Sequence, residues 1–435
     1  MRRHPSLLVV AMVVGYAAPA AADRLITLDQ AYRLAMGKHP SIKVLRARVD
    51  QARAGRYRAW SAVKPTAMFQ ANFTHYDKEI SFQNVFDPTA GDIVLQKQNQ
   101  FGFNMMAKLP LFVGPAYPGI SMAKKMVKVA ELAEEDYRRG FQLQIANAYY
   151  MVVSQKEVVR SLEAKVAVDK KHLAAARARV DAGQSARVEV LRADLVATQD
   201  GQQLRVARNN LAAARRQLAI LLGLKGSVDV KRPPEPTRPA KSFTTMLGTA
   251  LRKRHDFKAS ALSISAAESG KLASWLSFAP TLDVTWLYRW SESTDFLGDS
   301  DTWYLMFSLN LPLYDGGTRY AKLRESRAKI REEKYKRAAL RSRIEGDLVR
   351  LRTEVASAEA GVISARKAVK LASVTEGDME ASFSAGAVTQ LDVLDATQRH
   401  LEAKIGLIST LYKRDMARLA LSNALGQYNP TRSKR

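Results

Sequence analysis

Asp392 and Asp395 are the side chains of this 435-residue sequence whose type and spacing come nearest to a functional pair. Three residues apart on a helix, their carboxylates share one face. Such a pair can gather cations, or it can be two solvated acids on a helix surface; the spacing leaves both readings open. Other constellations are missing. The six histidines are dispersed, with no His-x-x-x-His spacing and no His-Glu pair, and no phosphate-binding glycine loop or nucleophile elbow is present. The absence of cysteine excludes disulfides, thiolate metal sites, catalytic thiols and acylation of an N-terminal cysteine. Tyr149 and Tyr150 read as helix packing. The expectation is a protein that is no enzyme, needs no cofactor or metal, and is not lipidated.

A duplicated frame positions the two aspartates. Ala182-Gly183 followed by Glu189-Val190-Leu191 recurs as Ala385-Gly386 followed by Asp392-Val393-Leu394. Leu109-Pro110-Leu111-Phe112-Val113-Gly114 recurs as Leu311-Pro312-Leu313-Tyr314-Asp315-Gly316, again about 202 residues later. No proline lies between Pro118 and Pro233 or between Pro312 and Pro430, and proline is the strongest helix breaker. Both stretches are rich in Ala, Leu, Arg and Glu, so long helices are predicted from about Tyr117 to Gly183 and from about Thr318 to Gly386. At 1.5 Å per residue each is about 100 Å long. Ile145, Val152, Val159, Val166, Leu173 and Val180 recur every seven residues, as do Val190, Ala197, Leu204, Leu211 and Leu218. Leu323, Ile330, Ile344 and Leu351 fit the same ladder, interrupted at Arg337. A sustained period of seven is the mark of left-handed coiled-coil packing. Gly183 and Gly386 stand where each rod reverses, because glycine tolerates the left-handed backbone that ends helices.

Ahead of each rod the period becomes two. Leu282, Val284, Trp286, Tyr288 and Trp290 alternate with Thr281, Asp283, Thr285, Leu287 and Arg289; Trp303, Leu305, Phe307, Leu309 and Leu311 follow in the same manner. Ala67, Phe69, Ala71 and Phe73, then Phe101, Phe103, Met105, Ala107 and Leu109, form a weaker first copy. Strands are thus expected at about 65–76, 99–111, 280–291 and 302–313, each apolar on one face and about the length that crosses an outer membrane. A soluble hairpin packed on helices is the alternative. The segment Asp77–Gln98 reads as a long loop and Glu292–Asp301 as a short acidic one. Residues 1–22 read as a secretory signal, 23–230 as the first repeat, 231–241 as a Pro-rich linker, 242–426 as the second repeat and 427–435 as a basic tail.

Four membrane strands cannot close into a barrel, and an open sheet edge cannot face lipid. Several chains must share one barrel, and three copies give twelve strands. The fold class expected is mainly α with a membrane β-barrel: two tandem repeats, long antiparallel coiled-coil helices and four transmembrane strands per chain, closing as a homotrimer.

The sequence resembles the TolC-type outer-membrane efflux protein family over Leu25–Gly426. The residues that carry this are Leu28-Asp29-Gln30-Ala31 with His39-Pro40, the Leu-Pro-Leu…Gly hairpin exits (Pro110, Gly114, Pro312, Gly316), and the duplicated Gly183…Glu189-Val190-Leu191-Arg192-Ala193 and Gly386…Leu391-Asp392-Val393-Leu394-Asp395-Ala396. The resemblance implies a twelve-stranded barrel above a twelve-helix periplasmic α-barrel in the outer membrane of a Gram-negative-type cell. It also implies a passive exit duct in tripartite efflux or type I secretion, working with a periplasmic adaptor and an inner-membrane pump of the RND, ABC or MFS type. By the same resemblance Gly183, Gln184, Gly386 and Ala387 are adaptor-docking turns. Asp392 and Asp395 with Glu189 and Arg192 lie at the periplasmic entrance, and Phe383 and Val388 stand where relatives carry polar residues that tie neighbouring helices shut.

The formal net charge is +26. Export argues against nucleic acid, leaving outer-membrane lipid, cell wall or anionic cargo as counterpart. The excess concentrates in Arg319–Arg343, which holds eleven Lys and Arg against three acids; a solvated helix face is the plainer reading. A secreted trimeric coiled-coil protein would explain the rods but not the aromatic hairpins. A periplasmic adaptor would carry one helical hairpin and lipoyl-like segments not seen here.

Overall fold

The computed structural model describes residues 25–82, 93–237, 242–292 and 300–427. The signal segment, most of the basic tail, the end of the linker and most of the 292–301 loop lie outside the described residues.

The first half runs β1 (Leu25–Ile26), α1 (Leu28–Lys38), α2 (Pro40–Ser61), β2 (Thr66–His75), β3 (Ile80–Phe82), β4 (Ile93–Gln96), β5 (Asn99–Val113), α3 (Ala116–Asp181), α4 (Arg187–Leu221) and β6 (Asp229–Val230). The second runs α5 (Phe243–Lys253), α6 (His255–Leu276), β7 (Thr281–Ser291), β8 (Asp301–Asn310), α7 (Thr318–Ser384) and α8 (Gln390–Ala424). At 66 and 67 residues, α3 and α7 are each about 100 Å long.

The order β2-β5-β7-β8 makes one antiparallel sheet from both halves, with β2 and β8 at its edges. Direct partners share a face, so the register assigns each face. Phe69 pairs with Met105, Ala71 with Phe103 and Phe73 with Phe101; Phe103 pairs with Trp290 and Met105 with Tyr288; Val284 pairs with Phe307 and Trp286 with Leu305. These residues form one continuous apolar face, and many stand exposed, Phe69 at 61% and Phe307 at 68%. The other face carries Gln70, Asn72, Asn104, Thr285 and Arg289, with a Lys108–Asp283 ion pair at 3.1 Å.

Three sequence expectations change. The segment 77–98 is not wholly loop: β3 and β4 pair as a small separate hairpin. β5 continues to Val113, two residues past the expected end, because β7 holds it through a bulge at Pro110–Phe112. β8 stops at Asn310 rather than 313. It has one neighbour among the described residues, and Pro312 has no N–H to extend a ladder. The two Leu-Pro-Leu copies are therefore not equivalent: the first stays in the sheet and the second leaves it.

Helix neighbours follow a fixed order. α3 packs against α2 and α4 on one side and against α6 and α8 on the other; α7 packs against α6 and α8. α7 has half-buried or buried residues at Leu323, Ser326, Ile330, Glu333, Arg337, Leu340, Ile344 and Leu351, the alternating three-four spacing of a coiled-coil seam. Arg337 keeps this ladder intact by laying its guanidinium 4.2 Å from the Phe257 ring centroid. The apolar core is thickest where the short elements brace the rods. One cluster centres on Tyr32, Ile42, Ile145, Tyr149, Leu218 and Val230, the other on Met246, Ile344, Leu348 and Leu421. The Tyr149 hydroxyl lies 2.8 Å from the Ile26 carbonyl and 2.5 Å from that of Lys231, tying the linker to β1. Burial pushes its pKa up to about 12, which keeps it a neutral donor. No helix among the described residues is long and apolar enough to cross a membrane.

Candidate functional site: the hairpin tips

Both rods end in the same motif. Gly183 (φ +71°) donates to the Val180 carbonyl at 2.9 Å and Gln184 donates to that of Arg179 at 2.8 Å. Gly386 (φ +77°) donates to the Phe383 carbonyl at 3.0 Å and Ala387 donates to that of Ser382 at 2.9 Å. The positive φ explains glycine at both positions, since a Cβ there costs about 1–2 kcal/mol. Gly183, Gln184, Gly386 and Ala387 are all exposed.

The return helices begin differently. α8 opens with a capping box: the Asp392 carboxylate accepts from the Thr389 N–H at 2.8 Å and from its hydroxyl at 2.7 Å. These hydrogen bonds hold the Asp392 carboxyl below its usual range, so it stays ionised. Asp395 lies on the same exposed face, away from buried Val393, Leu394, Ala396 and Thr397, and pairs with Arg399 at 2.9 Å. In α4 the Ser185 hydroxyl donates to half-buried Glu189. Arg192 is exposed and Val388 half-buried.

Phe383 is placed by an interaction the sequence did not reveal. The Arg179 guanidinium, in the last turn of α3, lies 4.4 Å from the Phe383 ring centroid, in the last turn of α7. The ends of the two rods are joined within one chain by a cation–π contact. A second unforeseen cluster lies higher in the first hairpin. Lys165, Asp169 and Asp200 are each no more than 5% exposed. The Lys165 ammonium contacts the Asp169 carboxylate and lies 3.0 Å from that of Asp200 across α3–α4. Two carboxylates thus share one cation. Burial, opposed by Lys165 and reinforced by Asp200, pushes Asp169 up to about 6. Nearby, burial lowers His172 although Glu376 and Glu380 oppose the shift, and His400 bonds Glu376 across α7–α8.

At the other end of the rods, a Cβ on Gly114 would meet the Leu276 carbonyl at 3.1 Å, so glycine there lets β5 pass close to the end of α6. Gly316 (φ +66°) and Gly317 (φ +87°) turn the chain into α7. The Pro312 carbonyl accepts from Arg319 Nη1 at 2.8 Å, which fixes the exit after β8.

An antiparallel sheet with one apolar and one polar face, mounted on paired rods, has the form of one segment of a membrane channel wall. The outer membrane efflux protein family model matches residues 31–224 and 246–427, and the chain belongs to that family. The outer membrane efflux protein BepC of Brucella suis is 23% identical over 65% of this chain and 62% of its own length. The outer membrane protein TolC of Vibrio cholerae is 26% identical over 73% of this chain and 74% of its own. The match spans a little under two thirds of BepC. Among solved structures, the outer membrane protein VceC of Vibrio cholerae superposes with a TM-score of 0.73 at 19% identity, covering 92% of this chain and 96% of that one. Family membership removes the secreted coiled-coil protein and the adaptor subunit as readings.

Proposed function

We propose that three copies of this chain form an outer-membrane exit duct: a twelve-stranded barrel continued into the periplasm by a twelve-helix tunnel. The observation that carries this is the sheet order. β2 and β8 are the outer strands, and each has one neighbour among the described residues. Lipid cannot satisfy the groups left open along those edges, whereas β8 of one copy and β2 of the next satisfy one another.

The helices supply the same rule a second time. Going round the wall, α2 and α4 come first and α7 last within a chain, and each has a flank without a neighbour among the described residues. The flank of α7 exposes Val349, Ile363, Leu371 and Val374; that of α4 exposes Val188, Leu191, Leu195, Val206 and Ile220. These apolar rows, each on one face of its helix at the 3.6-residue period, meet when the ring closes.

In this reading the channel is passive. Its periplasmic adaptor engages the turns at Gly183-Gln184 and Gly386-Ala387, and an inner-membrane pump of the RND, ABC or MFS type, or a type I secretion transporter, delivers the cargo. Closure of the entrance rests on the hairpin ends, with Arg179–Phe383 in place of a polar lock. Asp392 and Asp395 set the field at the mouth, weakened by Arg399 and by Arg192 in the first hairpin. Purified protein tests this. The expected species is an SDS-resistant trimer that becomes a single chain on boiling and conducts ions in planar bilayers; a water-soluble monomer refutes it.

A further inference from the structure

The flank of α7 changes character along its length. Below Val349 it is apolar, but in its upper part the face opposite the in-chain seam carries Tyr320, Arg324, Arg327, Arg331 and Tyr335, all exposed. Some cations of this run are paired: Lys329 and Lys336 with Glu332 and Glu333, and Arg341 with Glu345. Among the described residues no acid pairs with Arg324, Arg327 or Arg331. The flank of α2 that meets this face in the ring is of the same sign. Ile42, Val49 and Ala52 turn inward, and Arg53 and Arg46 reach Glu131 and Glu134 of α3, while Arg58 stays exposed on the opposite side and Arg48 is exposed one turn before Ala52.

Helical rise sets the heights. α2 rises to the sheet and α7 descends from it, so at 1.5 Å per residue Arg58 lies about 5 Å below the top of α2 and Arg324 about 9 Å below the top of α7. Arg327 follows at about 14 Å, and Arg331 and Arg48 share a level near 20 Å. Closing the ring therefore brings guanidinium groups toward one another from both sides, an arrangement that favours an intervening anion.

A second observation places the membrane surface at the upper level. Each of the four helices that abut the sheet carries an exposed aromatic in its adjoining turn: Trp60, Tyr117, Trp275 and Tyr320. Tyr320 is held there edge-on to Phe278, 5.1 Å between centroids. Amphipathic aromatics gather at headgroup depth, and the apolar strand face ends just above them.

We propose that the cleft between the top of α7 and the top of α2 of the next protomer binds the phosphate of an anionic phospholipid, held by Arg324 and Arg327 from one side and Arg58 from the other. Arg331 and Arg48 lie about 6 Å below Arg327 and about 11 Å below Arg324, deeper than the headgroup level that the aromatics mark, and are outside the site. The site rests on the trimer proposed above, because its second wall belongs to another copy.

Native mass spectrometry of the detergent-solubilised protein, titrated with phosphatidylglycerol or phosphatidylcholine, tests it. The expected result is lipid retained on trimers with a phosphatidylglycerol preference of about tenfold. Arg324→Gln with Arg327→Gln, and separately Arg58→Gln, remove that preference. Arg331→Gln and Lys329→Gln with Lys336→Gln leave it intact. Heat-modifiable migration checks that each variant still assembles. Equal retention of the two lipids by wild-type trimers overturns the site and leaves the trimer standing, as does loss of preference in the Arg331 variant alone. Displacement of the lipid by millimolar inorganic phosphate overturns the lipid as occupant. A wild-type spectrum holding only single chains overturns the trimer, and with it the site.

Discussion

Asp169→Asn should stabilise the first hairpin at neutral pH, although it removes one side of an ion pair. Lys165 is shared by Asp169 and Asp200, so the wild-type cluster carries one negative charge more than its cation neutralises. That surplus is what burial penalises, and it holds Asp169 near 6 against an ordinary value of 3.8. Because the folded pKa is raised, the folded state binds the proton more tightly than the unfolded one. Stability is therefore greatest below the ordinary value and falls as pH rises from there through about 6. Two units correspond to about 3 kcal/mol as an upper bound. Asparagine keeps the shape, offers its amide to Asp200 and leaves a balanced Lys165–Asp200 pair. Hydrogen exchange of peptides from α3 and α4, corrected for intrinsic rates, should show wild-type protection falling by about 2–3 kcal/mol of opening free energy between about pH 4 and pH 7. The variant should lack that slope and be better protected at about pH 8. An unchanged slope, or weaker protection of the variant at pH 8, refutes the shared-cation account. Removing the cation is the opposite case: Lys165→Met strands two carboxylates and should cost about 3–5 kcal/mol.

Three further outcomes follow from the hairpin ends. Phe383→Ala and Arg179→Gln each remove about 0.5–1 kcal/mol per chain of cation–π attraction, and should raise the resting conductance of single channels; unchanged conductance would mean that the contact does not hold the entrance. Asp395→Ala, which leaves Arg399 uncompensated, should shift bilayer reversal potentials toward anions more than Asp392→Ala, whose main loss is a helix cap of about 1 kcal/mol; if the double variant keeps its ion preference, selectivity lies elsewhere. Gly386→Ala forces a Cβ into φ +77° and should weaken protection of the α7–α8 turn by about 1–2 kcal/mol, read by the same exchange experiment.

The rods were legible because proline and glycine punctuate them on a scale no tertiary contact overrides: α3 and α7 begin and end within two residues of the places their sequence signals mark. The strand faces were legible for a related reason, since a period of two survives in any register that keeps one side dry. The unequal fates of Pro110 and Pro312 were not, because they depend on whether a strand has one neighbour or two. The β3–β4 hairpin was hidden because its strands, Ile80–Phe82 and Ile93–Gln96, are too short to show a sustained period of two. In the candidate site, Thr389 three residues before Asp392 is a capping signal that local reading can find. Lys165 and Asp169, four apart, resemble a surface ion pair; only packing of α4 brings Asp200 to them and buries all three. Arg179–Phe383 joins residues from opposite halves of the chain, and nothing local in either segment announces it.

The central claim is that β8 of one copy pairs with β2 of the next. The chain holds no cysteine, so introduced pairs report without background. Gln70→Cys combined in turn with Tyr304→Cys, Met306→Cys or Ser308→Cys keeps both thiols on the polar face, where their alternation places them. On mild oxidation in outer membranes, one of the three registers should yield a covalent trimer that survives boiling and collapses to single chains on reduction. If every register gives only single chains, the sheet edges do not meet and the shared wall does not exist.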